Sequence, residues 1–87
     1  MAVVYIPTLL QEATGGKASL EVDGSTVREV VENLESACSA LRGRIVEEGR
    51  LRPGISVSVD GEISRLGLLE RISPASEIHF IAAVKGG

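Results

Sequence analysis

Apolar and polar residues alternate with a period of two along Ala18-Ser19-Leu20-Glu21-Val22, along Ile55-Ser56-Val57-Ser58-Val59, and from Glu77 into the C-terminal segment. That period turns successive side chains to opposite faces, so each run predicts a strand. In the last of them Ile78, Phe80 and Ala82 share one face and His79 and Ile81 the other. Ala2 to Ile6 is apolar at both parities, which predicts a central strand ended by Pro7. A different period governs Val27, Val30, Val31, Leu34, Ala37, Cys38 and Leu41, which form one stripe of an amphipathic helix. Its start is marked by Thr26-Val27-Arg28-Glu29, a capping box in which the threonine hydroxyl accepts from the third helical amide and the glutamate reaches back to the cap. Glu29, Glu32 and Glu35 lie off the stripe as a solvated flank, and Cys38 reads as a small core residue.

Weaker patterns fill the gaps. Leu9, Leu10 and Ala13 give one or two helical turns before Gly15-Gly16 stops them. Leu41 to Pro53 holds Arg42, Arg44, Arg50 and Arg52, which serve either to receive an acidic partner or as a solubilising connector; the connector is the preferred reading, with chain breaks at Gly43 and Gly49. Asp60-Gly61 is a turn, Glu62 to Ser73 fits neither period and predicts an irregular crossing with one helical turn, and Ser73 to Ser76 is a second turn. The order is thus strand, connection, strand, long helix, strand, crossing, strand and a short tail. One helix covers only one face of a sheet, so an α+β sandwich follows: a mixed four- to five-stranded sheet with one main helix on one face. First and last strands, apolar at both parities, are expected side by side and parallel at its centre, the β-grasp or ubiquitin-like arrangement.

Composition narrows the class. Eighty-seven residues make one domain, and 44% hydrophobic residues with one Phe, one Tyr and no Trp make a core of Val, Ile, Leu and Ala. Twelve acidic against nine basic residues, net charge −3, argue against a nucleic-acid partner. No apolar run approaches the roughly 20 residues of a membrane span, and no basic segment precedes the apolar N-terminal residues as in a signal peptide. A cytoplasmic protein is expected, and a single cysteine fits that setting.

Chemistry concentrates at the other end. The domain is expected to occupy residues 1–83 and a flexible Gly-Gly tail residues 84–87. Lacking Cβ atoms, Gly86 and Gly87 would let the main chain thread a channel too narrow for side chains and present the carboxyl of Gly87 to another protein. By itself a diglycine end reads as a frayed terminus. An α-carboxyl has a pKa of about 3.3–3.7, so at neutral pH it is an anion and needs activation, usually as an acyl-adenylate. Five residues, 83–87, reach at most about 17 Å. Ordering them costs on the order of 1–2 kcal/mol each, so an apolar docking patch is expected on the sheet near Ile81. His79 stands alone, with no second histidine or nearby carboxylate set to make a metal site, and reads as a surface residue.

The residues together resemble the MoaD/ThiS family of sulfur-carrier proteins, and within it the CysO-like branch. The resemblance rests on Ile6-Pro7-Thr8-Leu9-Leu10 leading to Thr14-Gly15-Gly16, on Gly24 to Val30 at the helix opening, on Leu51-Arg52-Pro53, on Val59-Asp60-Gly61-Glu62, and on Ala83-Val84-Lys85-Gly86-Gly87. It spans essentially the whole chain. It implies a carrier, not an enzyme, that binds no permanent cofactor. An E1-like partner would spend ATP to adenylate Gly87, which then accepts sulfur as a thiocarboxylate. A sulfur-accepting synthase or large subunit would take that sulfur for molybdopterin, cysteine, thiamine or tRNA thiolation. Val84, Ile81 and His79 are implied as the docking residues. Two positions depart from the pattern: similar chains carry a proline near Ala82 and a small residue at Lys85. A ubiquitin-like modifier, forming isopeptide bonds through Gly87, is the alternative.

Overall fold

The computed structural model describes residues 1–82. β1 (Ala2–Tyr5), β2 (Ser19–Val22), α1 (Val27–Ala37), β3 (Val46–Glu47), β4 (Arg50–Leu51), β5 (Ile55–Val59), β6 (Glu62–Ile63) and β7 (Glu77–Ala82) follow one another along the chain. Five strands form one mixed sheet in the order β2-β1-β7-β5-β6, and β3 and β4 form a separate hairpin. β7 is the middle strand, parallel to β1 and antiparallel to β5. This is the expected β-grasp sheet, with the first and last strands adjacent and parallel.

The two periods of the sequence meet in the core. Val4 of β1, Val57 of β5 and Ile78 and Phe80 of β7 project from one face of the sheet onto Val27, Val30, Val31 and Leu34 of α1. Leu10 reaches the same core from a 3-10 helix, Thr8–Thr14, that joins β1 to β2. Burial of apolar side chains such as Leu34 and Ile78 contributes about 1.5–3 kcal/mol each.

Thr26 caps α1, its hydroxyl accepting from the Glu29 amide at 3.2 Å. The reciprocal bond lands one residue earlier than the capping box predicts: Glu29 Oε1 accepts from the amide of Ser25 at 2.8 Å. At the far end α1 stops at Ala37, and Cys38 leaves the helical region at φ −133°, ψ 86°. Ala37 is therefore exposed instead of lying on the buried stripe, while the stripe resumes at Leu41 through a 3-10 turn over Ser39–Leu41.

Two segments carry more structure than their patterns announce. The arginine-rich stretch contains the β3–β4 hairpin, turned by Glu48 at φ 54° and Gly49 at φ 77°. The crossing after β5 includes the edge strand β6 and a 3-10 turn at Gly67–Leu69. That crossing also holds the start of α1, since the amide of Val27 donates to the Glu70 carbonyl at 2.9 Å and the amide of Ile72 to the Ser25 carbonyl at 3.0 Å.

Candidate functional site

α1 covers one face of the sheet, and the register sets what the other presents. Tyr5 pairs with His79, His79 with Ser58, and Ser58 with Ile63, so these four residues form a row across β1, β7, β5 and β6. Their neighbours in sequence, Val4, Ile78 and Val57, are in the core. Alternation therefore turns the row to the uncovered face. Ile81, paired with Ser56, joins it one step further along β7.

The row is organised around a stack of two rings. The Tyr5 and His79 rings lie 4.3 Å apart, centroid to centroid, and 7° from parallel. His79 is half-buried by this contact and is not a free surface side chain. Ile81 is 43% exposed and Ile63 61% exposed. Ser58, in the middle of the row, is buried. Ile81 is thus an exposed apolar side chain on the sheet face, with Ser56 opposite it and the exposed Glu77 at the far end of the same face of β7. A shallow depression of about 310 Å³ adjoins it, lined by Tyr5, Pro7, Thr8, His79 and Ile81 among others.

Of the residues assigned to the site from sequence, His79 and Ile81 are brought to one face two positions apart on β7. Val84, Gly86 and Gly87 lie outside the described residues, as does the proposed division between domain and tail after residue 83. β7 is held to its last described residue: Ala82 pairs with Ile55. Tyr5 was missed. A parallel register between the first and last strands brings it to His79, and no local pattern encodes that register. Among the described residues no group of three or more His, Cys, Asp or Glu is placed to hold a metal ion. No helix there is long and apolar enough to cross a membrane.

Known carriers and modifiers of this fold are similar to the chain. A model of the ThiS family matches residues 4–87. The sulfur carrier protein CysO of Mycobacterium tuberculosis is 32% identical over 89 residues, covering 97% of this chain and 96% of its own length. The crystal structure of the Amycolatopsis orientalis BexX/CysO complex contains a chain with 35% identity and a TM-score of 0.93, both chains covered in full. The solution structure of small archaeal modifier protein 1 from Methanosarcina acetivorans matches with 27% identity and a TM-score of 0.85, over 99% of this chain and 95% of that one.

Proposed function

Because the chain belongs to the ThiS family, we propose that it is a sulfur carrier whose Gly87 carboxylate is adenylated by an E1-like enzyme and converted to a thiocarboxylate. In the first step a carboxylate oxygen attacks the α-phosphorus of ATP and pyrophosphate leaves. In the second, a sulfur nucleophile adds at the activated carbonyl carbon and AMP departs with the C–O bond electrons. The product is ionised at neutral pH and nucleophilic through its soft sulfur, for the reason a thiolate is. A biosynthetic acceptor then takes the sulfur, in cysteine, molybdopterin, thiamine or tRNA thiolation.

The carrier contributes no catalytic side chain to this scheme. Gly86 and Gly87 pass the main chain into the partner's channel, and His79, Ile81 and Val84 dock the body outside it. The observation that supports the reading is the pairing of a family match that runs through Gly87 with a central strand whose uncovered face is apolar at Ile81. The partner expected second is a sulfur-accepting synthase; the CysO of Amycolatopsis orientalis is known in a complex with BexX.

Intact-mass spectrometry tests the proposal after incubation of the full chain with ATP, an E1-like enzyme of this family and sulfide. A gain equal to exchanging one oxygen for one sulfur, confined to the C-terminal peptide, is expected. An unmodified chain, under conditions that convert a known carrier, would overturn it. The likeness to the archaeal modifier favours a second reading, in which the same adenylate ends in an isopeptide bond. Higher-mass conjugates that vanish when Gly86 and Gly87 are deleted would mark that activity.

A further inference from the structure

Across the uncovered face the register runs Ser19, Tyr5, His79 and Ser58, so each ring has a small serine on one side and the other ring on its other side. Neighbouring strands lie about 4.7–4.9 Å apart, and the two ring centroids lie 4.3 Å apart at 7°. The rings therefore stand off the sheet in step with the strands that carry them. Both residues are half-buried, although nothing in the fold covers this face.

The imidazole is steadied by Tyr5 rather than by a hydrogen bond. The hydrogen-bonded side chains among the described residues include Gln11, Thr14, Ser64 and Ser76 but not His79. No buried side-chain nitrogen or oxygen there lacks a partner, so the ring nitrogens of His79 are reached from the surface. The position of the stack matters as well. Tyr5 and His79 are the last pair between β1 and β7, and Phe80 to Ala82 pair with β5 alone. The stack thus closes the doubly paired part of the central strand, two residues before Ile81.

We propose that Tyr5 is a positioning residue of the docking face, acting through His79. Its ring holds the imidazole in one orientation before a partner arrives, so docking need not immobilise that side chain. An imidazole fixed in this way offers its nitrogens to the partner in a set direction. The inference rests on the proposed function, in which His79 and Ile81 seat the activating enzyme.

The test uses the full chain in ATP-dependent pyrophosphate release with an E1-like enzyme, at varied carrier concentration. Tyr5→Ile keeps a bulky apolar side chain suited to a strand but removes the ring. It should raise KM roughly three- to tenfold with kcat unchanged, the effect of freeing one ordered side chain. Tyr5→Phe retains the ring and should bring KM back to within about twofold of wild type. In a His79→Ala background Tyr5→Ile should have no further effect, since nothing is left to position. The carbon-bound imidazole protons of His79 should show ring-current shifts in wild type and in Tyr5→Phe, lost in Tyr5→Ile, while thermal unfolding reports the fold of each variant.

The inference is overturned by wild-type KM in Tyr5→Ile once the ring-current shift is gone, or by an equal loss in Tyr5→Phe. It is also overturned by an equal Tyr5→Ile loss with and without His79, which would make Tyr5 a contact in its own right. Ile81→Asp, measured alongside, separates the two readings. A raised KM there beside wild-type KM in Tyr5→Ile removes the role of Tyr5 alone; wild-type KM in both removes the docking face and the role of Tyr5 with it.

Discussion

Replacing Ile81 separates docking from folding. Its side chain is on the uncovered face, 43% exposed, opposite Ser56. Burying a whole isoleucine stabilises by about 1.5–3 kcal/mol, so covering the exposed fraction by an activating enzyme contributes about 0.6–1.3 kcal/mol. At 1.36 kcal/mol per tenfold, Ile81→Ala should therefore lower kcat/KM for adenylation by roughly three- to ninefold. Ile81→Asp should lower it further, because an unpaired carboxylate would have to be desolvated in the interface. Ile81 stands six residues before Gly87 in the chain and carries no reacting group, so the loss should fall on KM and leave kcat nearly untouched. Stability should change by no more than about 1 kcal/mol, as for an exposed position.

The assay is ATP-dependent pyrophosphate release with an E1-like enzyme at varied carrier concentration, paired with thermal unfolding of each variant. Wild-type kcat/KM in Ile81→Asp, with the fold intact, would refute the assignment of this face. A fall in kcat at constant KM would refute the reasoning in another way, by placing the residue near the chemistry.

Other outcomes follow from the same geometry. Gly86→Ala should leave the unfolding midpoint unchanged and impair adenylation, because its methyl would meet a channel fitted to glycine; equal rates would contradict threading. Gly24→Ala should destabilise by about 1–3 kcal/mol in urea unfolding, since a Cβ there would lie 2.8 Å from Val30 Cγ2 and 2.9 Å from the Val30 amide nitrogen. Leu34→Ala, fully buried under the sheet, should cost about 2–5 kcal/mol by the same measurement. Asp60→Ala should cost about 2 kcal/mol and Asp60→Asn distinctly less. The Asp60 carboxylate accepts from the Glu77 amide at 2.9 Å and faces Ser76 Oγ at 3.3 Å, and φ of 51° is easier for asparagine than for alanine.

Two turns show what a local signal reveals. Asp60 and Gly61, at φ 51° and 88°, join β5 to β6, and Glu48 and Gly49, at φ 54° and 77°, join β3 to β4. Both are two-residue hairpin loops with positive φ at each position. Asp-Gly announces such a loop because aspartate tolerates the left-handed region, whereas Glu-Gly does not, and only the first was legible. The helix was legible because its period is long enough to exceed chance, yet its end was placed too late: Cys38 and Leu41 continue the spacing but not the helix. The centre of the sheet was legible from two runs apolar at both parities. The Tyr5–His79 stack was not. It joins residues from separate strands, and long-range register is not written in any window of sequence.

In the proposed carrier, the middle position of β7 gives the C-terminal segment a firm base. A terminal segment leaving an edge strand would be bonded on one side, and the strand could peel to lengthen its reach. β7 is paired with β1 from Glu77 to His79 and with β5 from Ile78 to Ala82, so its last three described residues hold on the β5 ladder and Ile78 and His79 on both, and it carries the buried Ile78 and Phe80. Peeling it back to Ile78 would expose two core side chains, at about 1.5–3 kcal/mol each, besides breaking the β5 ladder and part of the β1 ladder. The last five residues then start from a fixed origin and span at most about 17 Å. A partner acting on Gly87 in the proposed reaction would bring its reactive centre within that distance of the end of β7 and seat itself on the β7 face. In the proposed function, docking at His79 and Ile81 and access to the carboxyl would thereby be coupled by the length of the chain.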